Sequence, residues 1–230
     1  MPQSAIATGC IDHELAPEDI ALAIQRIVAM RRDGALPAGA AETLYVVGGL
    51  YGNLPALLEV ERMAAILQAQ PDARLASVSA DVSDAAAAVA AVQQCTAQWG
   101  GLDILVNNAA MRNYSPAAEA TSQEWQAIVG VNLVGITHYC HAALPHLRQS
   151  GRGSIVNVSS CYAVKGRKGM ALYDATKAAQ LALTRSLACE ESVHGVRVNA
   201  VCPGSTLTDF HVGRAQQAGK SVEQLKTERK

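Results

Sequence analysis

Ser154-Ile155-Val156-Asn157-Val158-Ser159-Ser160 is an apolar, β-branched run, and it is answered downstream by a second, Val196-Arg197-Val198-Asn199-Ala200-Val201. The residues between them, 172–194, carry helical periodicity, so the unit reads strand, helix, strand and predicts two parallel neighbours in one sheet. Working outward, residues 75–80 and 104–107 are runs of the same kind, bounded by Gly, Asp or Asn, with helical stretches over 84–99 and 122–149 between the strands. This alternation predicts the α/β class with a parallel sheet. Ser83-Asp84 and Thr121-Ser122 read as helix caps, the second followed by Glu124 in the first turn.

Residues 1–42 differ in character. Pro17-Glu18-Asp19 opens a helical stretch over 20–32, with Ile20, Ile24, Ile27 and Val28 on one face and Arg31-Arg32 near the end, where cations suit the macrodipole. Gly34, Pro37 and Gly39 mark a linker, which predicts an extension over 1–42 and an α/β domain over 43–230. Within that domain residues 44–48 form a further strand, followed by Gly49-Leu50-Tyr51-Gly52 and a helix reaching about residue 70.

The 230 residues are 50% hydrophobic and 17% charged, a globular composition rather than a disordered one. A net charge of −1 leaves no basic surplus for phosphates, so nucleic acid is not an expected partner. Apolar runs such as 85–92 are far shorter than the roughly 18 residues that cross a bilayer, and the first residues lack a basic region with an apolar core. The expectation is therefore a cytoplasmic protein with no membrane partner. Cys10, Cys95, Cys140, Cys161, Cys189 and Cys202 are scattered without a C-x-x-C pair; they read as buried thiols, and no metal site is expected.

The chemistry gathers in the second half. Tyr173 and Lys177, at i and i+4, project from one helix face, and an ammonium beside a phenol favours the phenolate, drawing its pKa down from about 10 towards the range of general acid/base work. Ser160 stands at the carboxyl end of its strand, Asn107-Asn108-Ala109-Ala110 ends another, and Pro203-Gly204 with Thr206 and Thr208 follows the last. Asn132 lies in the middle of a helix, where an amide is unfavourable unless something occupies it. These groups converge at one sheet edge, where open parallel sheets bind ligands.

In this order the motifs resemble the short-chain dehydrogenase/reductase family over residues of about 75 to 210: Asp81-Val82, Asn107 to Ala110, Asn132, Ser160, Tyr173-x-x-x-Lys177 and Pro203-Gly204-x-x-x-Thr208. The resemblance implies a Rossmann-like, doubly wound parallel sheet with helices on both faces. It implies NAD or NADP as cofactor, a small alcohol or ketone as substrate, and homo-oligomers paired through the helices 122–149 and 172–194. Tyr173 would be the acid/base. Lys177 would hold the nicotinamide ribose and depress the tyrosine pKa, Ser160 would orient the substrate oxygen, and Asn132 would seat a water in the proton relay. Asp81 and Val82 would meet the adenine, Asn108 and Ala109 the adenosine ribose, and Pro203, Gly204, Thr206 and Thr208 the nicotinamide side. Asp81 could instead cap the following helix, and Asn108 could serve only sheet–helix hydrogen bonds.

The first half departs from that pattern. The glycine turn of a dinucleotide site is best matched by Val47-Gly48-Gly49-Leu50-Tyr51-Gly52-Asn53-Leu54, in which Gly48 and Gly52 align, while Val47 replaces a Thr and Leu54 the last Gly. From Gly48 to Leu75 is 27 residues, room for one helix but not for the further β-α unit of the family, so the sheet is expected to lack some family strands. The family also continues further past the position of Lys230. Two other resemblances compete here. Residues 45–57 are similar to the opening of calcineurin-type metallophosphoesterases, with Gly49 and Tyr51 where metal ligands would stand, and residues 1–30 are similar to the last stretch of chemotaxis receptor methylesterase catalytic domains. Two readings follow: an oxidoreductase, or a non-catalytic relic of that family that cannot hold a dinucleotide.

Overall fold

A computed structural model describes residues 44–47, 78, 80–204, 219–221 and 223–224. Its elements are β1 (Leu44–Val47), α1 (Ala85–Trp99), β2 (Ile104–Asn107), α2 (Ser122–Val129), α3 (Gly135–Ser150), β3 (Ser154–Val158), α4 (Ala171–Glu191) and β4 (Arg197–Val201). The four strands lie side by side in the order β1-β2-β3-β4, every pair parallel, as the strand–helix–strand reading predicts. Register places Leu105, Ile155 and Val198 in one lateral row, all three fully buried. Two residues nearer the carboxyl ends, the row Asn107, Asn157, Ala200 turns polar. The sheet thus changes from core to site within a single strand length.

Local chemistry explains the helix boundaries. The Asp84 carboxylate accepts from the Ala86 N–H at 2.8 Å and starts α1, and Gly100, at φ 81°, ends it in the left-handed region. Thr121 starts α2 with a complete capping box: its Oγ1 accepts from the Glu124 N–H, and Glu124 accepts back from the Thr121 N–H at 2.8 Å. Glu124 also accepts from Ser115 Oγ and Asn113 Nδ2, which pins the loop after β2 onto the helix. These bonds, Ser115's first, hold its carboxyl down to about 2.

Between α2 and α3 the chain does not break but widens into a π turn, Gly130–Val134, closed by the Gly135 N–H to the Gly130 carbonyl. Gly135 is required by a close approach, since a Cβ there would meet the Val82 carbonyl oxygen at 2.8 Å. Within the 29-residue run Ser122–Ser150, an 18-residue window reaches a mean hydropathy of 1.4, long and apolar enough to cross a membrane by length and composition. Here that apolar surface is spent in the core: Ile136, Tyr139, Cys140, Ala143 and Leu147 join Ala88, Ala91, Val92 and Cys95 of α1 over the sheet.

One expectation lies largely outside the described residues and another needs correction. Of the strand expected over 75–80 only Val78 and Ala80 are described; Asp81 turns the chain just beyond them, accepting from the Ser83 N–H and hydroxyl. The cysteines are not uniformly buried. Cys95 and Cys140 are, Cys161 is half-buried, and Cys189 and Cys202 are exposed, because they fall outside the core cluster that the other two join. Cys10, the helix over 20–32 and the boundary at residue 42 lie outside the described residues.

Candidate active site

Helix α4 carries two of the four catalytic candidates, Tyr173 and Lys177, and contacts the other two, Ser160 and Asn132. Tyr173 is half-buried in its first turns, and Lys177, one turn on, is 2% exposed. Ser160, buried at the end of β3, hydrogen-bonds the Tyr173 hydroxyl and accepts from the Tyr162 N–H. The Lys177 Nζ lies 5.6 Å from the centre of the Tyr173 ring. It donates to the Val158 carbonyl at 2.7 Å and to Gln180 Oε1 at 3.2 Å.

The electrostatics correct one expectation. Burial pushes the Tyr173 hydroxyl above its ordinary value, outweighing the guanidiniums of Arg112 and Arg167 and the Ser160 hydrogen bond, which pull it down. Lys177 is not what lowers it: the ammonium is turned into the protein, towards β3 and Gln180. Lys177 itself is brought down to about 8, first by burial and then by Arg112, with Cys202 acting in the opposite sense. Without a dinucleotide the pair is thus a neutral phenol beside a weakened ammonium.

Asn132 sits at 0% exposure in the π turn. Its Oδ1 accepts from the Met111 N–H at 2.5 Å, and its Nδ2 donates to the Met111 carbonyl at 2.9 Å and to Thr176 Oγ1 at 3.0 Å. The amide that is unfavourable in a helix interior is therefore satisfied by the loop after β2 and by α4. Its main-chain carbonyl accepts from Gln180 Nε2 at 2.6 Å.

A polar string runs behind these groups. Asn107 Nδ2 donates to Asn157 Oδ1 at 2.9 Å, Asn157 Nδ2 to Thr184 Oγ1 at 3.0 Å, and Thr184 to the Gln180 carbonyl at 2.7 Å. Asn107 Oδ1 is buried with no hydrogen-bond partner. Asn107 also lines a small crevice with Val82, Ala109, Val131, Gly135, Ile136 and Tyr139. At the outer rim, the Arg167 guanidinium stacks 3.5 Å from the centre of the Tyr162 ring and bonds Asp174 at 2.6 Å.

On the expected adenosine side, Asp81 and Asn108 are exposed and Val82 and Ala109 line the crevice. Asp81 does not cap α1; Asp84 does. Pro203 meets the site through its carbonyl, which accepts from the Cys161 N–H at 3.0 Å, with Gly204 exposed beside it. Gly48, Gly52, Thr206 and Thr208 lie outside the described residues. The sequence reading missed Gln180, Thr184, Thr176 and Asn157. The signal was present, since Lys177, Gln180 and Thr184 form one polar stripe at helical spacing, and Asn157 interrupts an apolar strand.

The family model for short chain dehydrogenases matches residues 56–219. The chain belongs to this family. The match begins earlier than the resemblance read from residue 75. Short chain dehydrogenase/reductase astE of Aspergillus oryzae is 38% identical over 162 residues, covering 70% of this chain and 62% of that protein. Acetoacetyl-CoA reductase of Rhizobium meliloti is 40% identical over 130 residues, covering 56% of this chain and 54% of that protein. The chain thus spans little more than half the length of these relatives. The structure of ElxO, solved with NADP bound, shares the fold at a TM-score of 0.65 and 24% identity, over 77% of this chain and 79% of that one. The short-chain dehydrogenase fold is accordingly a Rossmann-like parallel sheet here too.

Proposed function

We propose that this short-chain dehydrogenase is an oxidoreductase that transfers a hydride between NAD or NADP and a small alcohol or ketone, with Tyr173 as the acid/base. The observation that carries the proposal is the Ser160, Tyr173, Lys177 cluster at the carboxyl ends of β3 and β4, with a buried ammonium whose partners are neutral oxygens. A fold built only for stability has no use for such a charge. One feature of the described residues fits a dinucleotide: Lys177 spends two of its three N–H groups on Val158 and Gln180, which leaves the third for a ribose hydroxyl.

The bound nicotinamide supplies or takes up the hydride. Everything else falls to the chain. Lys177 would hold the ribose, and Asp81, Val82, Asn108 and Ala109 the adenosine, with Gly48 and Gly52 at the pyrophosphate and Pro203, Gly204, Thr206 and Thr208 towards the nicotinamide. Ser160 would orient the substrate oxygen, and Tyr173 would give it a proton during reduction and take the proton back during oxidation. Binding of the ribose beside Lys177 is what would bring the Tyr173 hydroxyl down from its raised value. Acetoacetyl-CoA reductase, among the relatives, names a carbonyl substrate of this kind.

Two measurements test this. Calorimetric titration of the chain with NADPH and NADH is expected to show micromolar binding of one of them; no binding at millimolar concentration favours the relic reading instead. Tyr173→Phe is expected to lower kcat/KM for carbonyl reduction by about 10²- to 10⁴-fold while leaving cofactor affinity in place. Wild type and variant equally inert across ketones, sugars and acyl thioesters would end the enzyme reading. Pairing of copies through the helices 122–149 and 172–194 belongs to the same proposal, and light scattering that finds a monomer would remove it.

A further inference from the structure

Gln180 is 0% exposed and lies between two groups that fix its orientation. An ammonium only donates and a main-chain carbonyl only accepts, so the amide turns Oε1 to Lys177 (3.2 Å) and Nε2 to the Asn132 carbonyl (2.6 Å). We propose that Gln180 is a positioning residue of the Tyr173–Lys177 pair: it ties the lysine to the carbonyl of the π turn and closes that side of the ammonium to protons. The inference rests on the reading of Tyr173 and Lys177 as the reacting pair.

The physical reason is the difference between an amide and a hydroxyl or water. A water in that place could take a proton from the ammonium and pass one of its own to a neighbouring water. A side-chain amide can do so only through its imidic tautomer, with a proton on the oxygen and one removed from the nitrogen. Gln180 therefore transmits position and dipole but no proton. Thr184, bonded to the Gln180 carbonyl, and the Asn157–Asn107 string behind it hold this arm of α4 in place. Exchange at Tyr173 is left to its own half-exposed side, past Ser160.

The groups that face Lys177 limit what else could set its titration. They are Tyr173 on its own helix, the Val158 carbonyl on β3, Arg112 in the loop after β2 and Cys202 after β4. Gln180 supplies the second acceptor, and its carbonyl-directed N–H orients that acceptor. Replacing it by leucine removes a dipole from a buried cation, whereas glutamate puts a full charge in the same place.

The test is a ¹³C NMR titration of the full chain, free of dinucleotide, labelled at lysine Cε. The chain has six lysines, and loss of one resonance in Lys177→Arg assigns the signal. Wild type is expected to titrate near 8. Gln180→Leu should lower the midpoint by about one pH unit, and Gln180→Glu should raise it by about one unit or more. If the leucine variant does not fold, the isosteric glutamate variant decides alone. A Lys177 midpoint unchanged by the substitutions overturns the proposal. Because no cofactor is present, a shifted lysine with no NADPH binding would strike the oxidoreductase reading and leave only the coupling of Gln180 to Lys177 standing, whereas NADPH binding with an unshifted lysine would strike the role of Gln180 alone.

Discussion

The two ends of the sheet treat their most deeply buried charges in opposite ways. At the amino ends of the strands, Arg148 grips Glu191 through two bonds of 2.7 and 2.8 Å, joining the last turns of α3 and α4. Beside it, Arg152 holds Asp103 at 3.0 Å, next to the start of β2. Each carboxylate there is nearly buried and each has a guanidinium fork. At the carboxyl ends, the Lys177 ammonium is as deeply buried but leans on a carbonyl and an amide oxygen, and Asn107 keeps an unpaired Oδ1. Desolvating a charge without a counter-charge is costly, so the end that carries this cost is the end kept for chemistry.

Removing the unmatched charge is the most direct way to break this contrast. The folded chain holds Lys177 near 8, below its ordinary 10.5, so between those values the unfolded chain binds more protons and stability rises with pH. The rise is on the order of 3 kcal/mol. Lys177→Met should lose it, so wild type and variant compared by urea denaturation at pH 7.5 and pH 10 should change in their difference by that order. Tyr173, raised by burial, acts the other way above its ordinary value, and it is common to both chains and cancels. A difference that is flat with pH would mean that the ammonium is not strained.

The polar string offers a smaller effect at the same end. Asn157 is 0% exposed and is bonded on one side by Asn107 and on the other to Thr184. Asn157→Ala leaves both partners buried without it and should cost about 1–3 kcal/mol in equilibrium denaturation. A cost under about 0.5 kcal/mol would show the string to be incidental, and the contrast between the ends would then rest on Lys177 alone.

Most of the described fold was legible in the sequence because its parallel strands announce themselves as apolar, β-branched runs, as in 104–107 and 154–158. The caps Asp84 and Thr121 were equally plain, since their side chains compete locally for the first N–H groups. Tyr173, Lys177, Ser160 and Asn132 were found by spacing, and the structure gathers them around α4. What the sequence hid was direction. Nothing in Tyr-x-x-x-Lys says that the ammonium turns towards Val158 and Gln180 rather than lying against the phenol, because that depends on which acceptors β3 and the π turn bring within reach. Gln180 was hidden for the same reason: a glutamine in a helix looks like surface until its two partners, on other elements, are in view.

The matched end sharpens the comparison with the smallest effect. Glu191 is held below the ordinary carboxylate range, chiefly by its hydrogen bonds from Arg148 and against the cost of its burial. A lowered folded pKa means stability that is present above the unfolded value and is lost as pH falls through the folded one. Glu191→Gln keeps the shape and removes the charge. It should therefore destabilise slightly at neutral pH, because water shares the half-exposed Arg148, and the two chains should converge in acid, where the wild-type carboxylate is protonated as well. Denaturation at pH 7 and pH 3 reads both. NADPH affinity should be untouched, since this pair lies at the opposite end of α4 from Tyr173. A gap that persists unchanged at pH 3 would show that the pair contributes packing rather than charge, and the two ends of the sheet would then differ in geometry alone.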